Sequence, residues 1–122
     1  MIMGLKLLEI ICRENKSANQ ILEDIYTEYG FFDFQRTDYE IDADKKKKLL
    51  KLLDGGIPGI LGDAGAREVI TIDGYKYPLD EYNWLMIRPS GTEAVVRIYS
   101  ESDSLEGSVK LQEMGKIIMN EL

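Results

Sequence analysis

From residue 69 to residue 100 the chain alternates short β-forming runs with turn residues, and this punctuation constrains the fold more than any other feature. Val69, Ile70, Thr71 and Ile72 read as a strand, Asp73-Gly74 as a two-residue hairpin turn, and Tyr75, Lys76 and Tyr77 as the return before Pro78. Trp84, Leu85, Met86 and Ile87 form a continuous apolar run suited to a buried central strand, which places Trp84 in the core. Residues 95–100 read as another strand, with Val96 and Ile98 on one face and Val95, Arg97 and Tyr99 on the other. Strands joined by turns pair antiparallel, because a parallel pair needs a long crossover.

Helical patterns flank this region. Residues 1–14 are apolar on nearly every face, which in a helix means contact on more than one side; Cys12, inside that run, reads as a small buried hydrophobe. Ser17 is a natural N-cap for a second helix carrying Ile21, Leu22, Ile25, Tyr26 and Tyr29, with Gly30 as its stop, so the front of the chain reads as a helical hairpin. The period then changes to alternation through Phe31, Phe32, Asp33, Phe34, Gln35, Arg36, Thr37 and Asp38, an extended segment whose phenylalanines are expected in core and interdomain packing. Asp42 caps a helix in which Lys45, Lys46, Lys47, Lys48 and Lys51 form a solvated face beside Leu49, Leu50, Leu52 and Leu53. The five glycines between Gly55 and Gly65, with Pro58, predict a loop. A last helix starts near Asp103, with Glu106 completing a capping box, and buries Leu111, Met114, Ile118 and Leu122. The expected architecture is α+β: an antiparallel sheet with helices packed on one face, preceded by the helical hairpin.

Composition excludes several chemistries. With no His and one Cys among 122 residues, the usual general base, the Ser-His-Asp and Cys-His nucleophile systems, thiolate zinc sites and internal disulfides are all ruled out. A net charge of −7 argues against a nucleic-acid or anionic-membrane surface, since neutralising phosphates takes clustered cations. The apolar start, interrupted by Lys6 and Glu9, is too short to span a bilayer and lacks the lead and cleavage site of a secretory signal. The expectation is a soluble cytoplasmic protein.

The remaining chemistry is concentrated in Arg88-Pro89-Ser90-Gly91-Thr92-Glu93, between two apolar strands. Gly91 lets backbone amides approach an anion without a Cβ in the way, Ser90 and Thr92 add hydroxyl donors, and Pro89 stiffens the entry. Arg88 supplies a planar fork matched to phosphate, and Arg97 on the returning strand offers a second cation. On residue types alone the stretch reads equally as an anion cradle or as a surface turn with Arg88 in an ion pair.

The string resembles the RPSGTEP signature of the α-D-phosphohexomutases, the phosphoglucomutase/phosphomannomutase enzymes. TIDGYKYPLDEYNWLMIRPSGTEAVVRIYSES is similar to the strand, hairpin, strand, phosphate loop and strand of that family's last domain. GLKLLEIICRENKSANQILEDIYTEYG is similar to the helices that close the domain before it. The resemblance implies that residues 1–30 are the helical end of a preceding domain and residues 31–122 a C-terminal phosphate-binding domain, similar in fold to the TATA-box-binding protein. It implies a piece of a four-domain isomerase that moves phosphate between C1 and C6 of a hexose through a phosphoserine, Mg2+ and a bisphosphorylated sugar.

The serine loop and DGDGDR-type metal loop have no match here, so the resemblance implies no catalytic residue, no metal ligand and no cofactor in this chain, which alone would be inactive. The expected partners are a phosphosugar and the missing N-terminal domains. Carried over residue by residue, Arg88, Ser90, Gly91 and Thr92 match the family's phosphate contacts and Arg97 the arginine of the following strand. Glu93 matches with a loop-structural role, and the chain departs from the pattern at Ala94, where proline is usual. The rival reading is a non-catalytic interaction module whose apolar helices dock on a partner.

Overall fold

The computed structural model describes residues 2–122 and divides into two compact units, one ending at Phe31 and the other Phe32–Leu122. Met1, which the sequence reading included in the first helix, lies outside the described residues. In the first unit, helix α1 (Ile2–Glu14) is followed by α2 (Ala18–Tyr29) across a turn in which Asn15 takes a positive φ of 51°. Ser17 caps α2 as expected, and Gln20 returns the bond to the Ser17 amide, completing a capping box. Gly30 ends the helix at φ 91°, a conformation that suits glycine.

Neither front helix buries a residue. Ile2, Met3, Leu5, Leu7, Leu8, Ile10, Leu22 and Ile25 are all exposed, and so is Cys12, which corrects the expectation of a buried thiol. The helical pattern was legible there, but a 31-residue unit offers no core to receive its apolar faces.

The second unit is built on a sheet of four antiparallel strands. Strand β1 (Asp33–Glu40) leads through the Asp42 cap into α3 (Ala43–Asp54) and a one-turn helix α4 (Gly59–Asp63); then come β2 (Tyr75–Pro78), β3 (Trp84–Pro89), β4 (Val95–Ser102) and α5 (Leu105–Asn120). The spatial order is β1-β4-β3-β2, so the two most apolar strands lie at the centre. One face carries Tyr77, Leu85, Ile87, Val96 and Ile98, which pack with Leu49 and Leu53 of α3, Leu61 of α4 and Leu111 and Ile118 of α5 into a single core. This is the α+β arrangement with helices on one face that the sequence implied.

Helix α5 approaches β4 closely because Gly115 has no side chain: a Cβ there would meet Ile98 Cγ2 at 2.8 Å. Gln112 ties the same helix to the sheet through Ser100 Oγ at 3.0 Å and the carbonyls of Gln35 and Ile98 at 3.3 Å. These bonds pair the Gln112 amino group, while its Oε1 is buried with no hydrogen-bond partner among the described residues.

Four local expectations are corrected. Residues 69–72 make only an isolated bridge from Ile70 to Lys76, so the reversal runs over residues 71–75 rather than over Asp73-Gly74 alone, and Ile72 is 86% exposed. β-Branched content alone does not make a strand: Ile70 meets Lys76 on the outer edge of β2, and its neighbours form no ladder there. The glycine-rich stretch contains α4, made possible by Pro58 at its entry and anchored by the buried Leu61. The cap of α5 is Ser104, which accepts from the Gly107 amide at 3.1 Å, not Asp103. Finally, Phe34 and Trp84 are not core. Leu85 and Ile87 take the inner face, and strict alternation sends Trp84 outward, where its ring lies 6.4 Å from that of Phe34. Phe31 and Phe32 are exposed too, stacked edgewise on Tyr26 and tilted against Tyr82.

Candidate phosphate-binding site

The open face of the sheet ends in a row of charge. Arg88, the last outward residue of β3, stands opposite Arg97 of β4, which in turn stands opposite Asp38 of β1. The two arginines differ in their attachments. Arg97 Nη2 donates to Glu93 Oε2 at 2.8 Å, and its Nε lies 3.6 Å from Asp38 Oδ2. Asp38 also accepts two bonds of 2.7 Å from Arg36; these hold its carboxyl below the ordinary carboxylate range against desolvation, with smaller help from the charges of Arg36 and Arg97. Arg88 is exposed and has no hydrogen-bond or ion-pair partner among the described residues.

Beyond Pro89 the chain turns through residues 90–94. The Ser90 amide donates to the Val95 carbonyl at 2.9 Å and closes the base of the loop. Ser90 Oγ, which is buried, accepts from the Glu93 amide at 3.1 Å and keeps its own proton free to donate. The amides of Gly91, Thr92 and Ala94 and the Thr92 hydroxyl have no partner among the described residues. Nothing lies within 4 Å of where a Gly91 Cβ would stand, so that side of the backbone is open.

Opposite the loop, residues 73–75 and Leu50 complete a cleft of about 450 Å³. Gly74, at φ 148°, is pressed so close that a Cβ would come within 3.2 Å of Arg88 Cβ. The Tyr75 hydroxyl donates to Asp54 Oδ1 at 2.5 Å, a bond that raises its pKa above the usual tyrosine value. All five residues singled out from the sequence, Arg88, Ser90, Gly91, Thr92 and Arg97, line this one cleft.

Sequence reasoning missed the opposite wall and Lys46. The Lys46 ammonium donates to the Ser90 carbonyl and, at 3.2 Å, to the Glu93 carbonyl, so this lysine is not part of the solvated face. A signal was available: Lys46, Leu49, Leu50 and Leu53 recur at i, i+3, i+4 and i+7, which puts the lysine on the apolar stripe. No three His, Cys, Asp or Glu side chains among the described residues gather to hold a metal ion.

Residues 40–114, from the end of β1 through most of α5, match the phosphoglucomutase/phosphomannomutase C-terminal domain family. The chain belongs to this family. The matched span contains every residue of the cleft. The chain is 27% identical over 116 residues to a phosphoglucomutase/phosphomannomutase of Thermococcus kodakarensis, covering 95% of this chain and 23% of the relative. It is 29% identical over 119 residues to a phosphoglucosamine mutase of Methanocaldococcus jannaschii, covering 97% and 24%. A shorter match, 40% over 48 residues, joins it to a phosphopentomutase of Thermococcus kodakarensis, covering 39% of this chain and 11% of that one. The chain thus spans about a quarter of the length of the relatives it matches from end to end. The family is one of isomerases, represented here by its C-terminal domain; no helix among the described residues is long and apolar enough to cross a membrane.

Proposed function

We propose that the cleft between residues 88–92 and residues 73–75 binds the distal phosphate of a phosphosugar, in an enzyme that transfers phosphate between two positions of the sugar. The observation that carries this reading is an unpaired guanidinium, Arg88, beside a loop with three unpartnered amides. A phosphate dianion supplies the acceptors that such a set lacks, with Arg88 as the bidentate fork and Arg97, braced by Glu93, as the second cation. Ser90 and Thr92 hydroxyls donate to the remaining oxygens. Asp73 on the same wall suits a sugar hydroxyl rather than the phosphate.

Because the contacts are charge and backbone amides, the site favours a phosphate while remaining indifferent to which end of the sugar carries it. That indifference is what a bisphosphorylated intermediate turning over in the cleft requires. Closure of this domain over the substrate excludes the water that competes for the phosphoryl group. The reacting serine and the Mg2+ ligands belong to domains outside this chain, and a bound Mg2+ would supply electrostatic stabilisation of the transferring phosphoryl group there. The exposed apolar helices α1 and α2 complete the domain that precedes this one in the intact enzyme, and the enzyme works in the cytoplasm. The relatives' names point to glucose, mannose, glucosamine and a pentose, so the cleft is assigned the phosphate and not a particular sugar.

The test is a titration of the isotope-labelled chain with inorganic phosphate and with glucose 1-phosphate. Amide shifts at Gly91, Thr92 and Ala94 that saturate are expected. A chain that only docks on a partner protein leaves those amides unmoved.

A further inference from the structure

We propose that Lys46 is a positioning residue of this site, aiming the amides of the phosphate loop from behind. The inference rests on the phosphate-cradle reading but draws on separate observations. Lys46 alone of the lysine run is half-buried, and its ammonium binds the carbonyls at the two ends of the segment from Ser90 to Glu93. The helix that carries it is fixed: Asp42 caps it through the Lys45 amide at 2.8 Å, and Leu49 and Leu53 are buried in the core below.

Peptide planarity gives these two bonds a directional consequence. In a trans peptide the carbonyl of one residue and the amide of the next point opposite ways. A Ser90 carbonyl turned toward Lys46 therefore turns the Gly91 N–H away from it, and the Glu93 carbonyl does the same for the Ala94 N–H. Both amides are unpartnered, so one ammonium sets the direction of two donors. The loop has no proline at Ala94 to stiffen its exit, and the lysine bonds restrain the same segment by other means. The ammonium also places a positive charge behind the loop.

The experiment uses the 122-residue chain, with inorganic phosphate as probe, and compares Lys46→Met, Lys46→Arg and Arg88→Ala with the parent. Methionine keeps the straight stem and helix propensity while removing charge and donors. If the loop then holds the cradle geometry about a tenth of the time, apparent affinity falls about tenfold. The expected result is that loss, with faster exchange of the Glu93 amide and a thermal midpoint close to the parent's, and recovery of most of the affinity in Lys46→Arg.

Lys46→Met binding phosphate as the parent does, with the Glu93 amide equally protected, would overturn the inference and leave the cradle standing. So would a loss of affinity accompanied by a large fall in the midpoint that Lys46→Arg does not restore. A parent chain that ignores phosphate, with Arg88→Ala no different, would overturn the cradle and this inference together.

Discussion

Replacing Arg88 with alanine separates binding from stability more sharply than any other change in the cleft, because the two effects have opposite signs. Arg88 faces Arg97 directly across the β3–β4 pair, and like charges in that position destabilise a sheet by about 0.2–1 kcal/mol. Arg97 is offset by Glu93 and Asp38, whereas Arg88 has no ion-pair partner among the described residues. Truncation therefore removes a repulsion and no ion pair. It keeps the Arg88 Cβ, which lies so close to Gly74 that a Cβ on the glycine would come within 3.2 Å of it, and removes only the atoms beyond. The expected gain is a few tenths of a kcal/mol, or about 1–4 °C in Tm for a unit of this size.

For phosphate the arithmetic runs the other way. Hydrogen bonds to a charged group contribute about 1.5–3 kcal/mol, and exposure of Arg88 places it near the lower end, so affinity should fall by about tenfold. Arg88→Lys keeps the charge and the repulsion but not the fork, and should recover only part of the binding and none of the added stability. The assay is phosphate titration by amide shifts beside thermal unfolding of the three chains. Unchanged affinity, or lost affinity with a lowered Tm, would refute the reasoning.

Two glycines give a contrast that depends on geometry alone: Gly115→Ala drives a Cβ to 2.8 Å from Ile98 Cγ2 and should cost about 1–3 kcal/mol in a denaturant melt, while Gly91→Ala meets nothing within 4 Å and should leave that melt unchanged but weaken phosphate binding. Asp38, whose folded pKa is lowered chiefly by the Arg36 bonds, contributes stability that is present above the unfolded carboxylate range and is lost as pH falls through the folded value. Asp38→Asn should therefore flatten the acid limb of a plot of Tm against pH; a limb as steep as the parent's would show that the Arg36 bonds and the Arg97 charge do not reach stability.

What could be read in advance followed from strict periods. Residues 95–100 alternate, and the structure puts Val96 and Ile98 inside and Arg97 and Tyr99 outside, as alternation demands. The same rule, applied to Trp84, would have corrected its assignment to the core, because a four-residue apolar run in a strand must send two members to each face. Residues 69–72 failed for a different reason: β propensity describes fit to a pleated surface, and only Ile70 meets a partner there. The loop at 88–93 was legible because its chemistry is local, packed into six consecutive residues. For Lys46 the helical spacing with Leu49, Leu50 and Leu53 marks a lysine on the apolar stripe, but its partner Ser90 lies 44 positions away, and no local pattern names that partner.

An acidic chain that presents a phosphate site has to overcome its own field. At a net charge of −7 a dianion is repelled at long range, so steering cannot supply the selectivity. Within a Debye length of about 8 Å, however, the local arrangement governs. There Glu93 and Asp38 are already committed to Arg97 and Arg36, Lys46 is committed to the back of the loop, and Asp73 stands on the opposite wall of the cleft. Arg88 is left as the cation of this cleft with neither an ion-pair nor a hydrogen-bond partner among the described residues. Recognition then depends on contact geometry rather than on attraction at a distance. A ligand that offers charge without three oxygens to match the fork and the amides should gain little from this cleft.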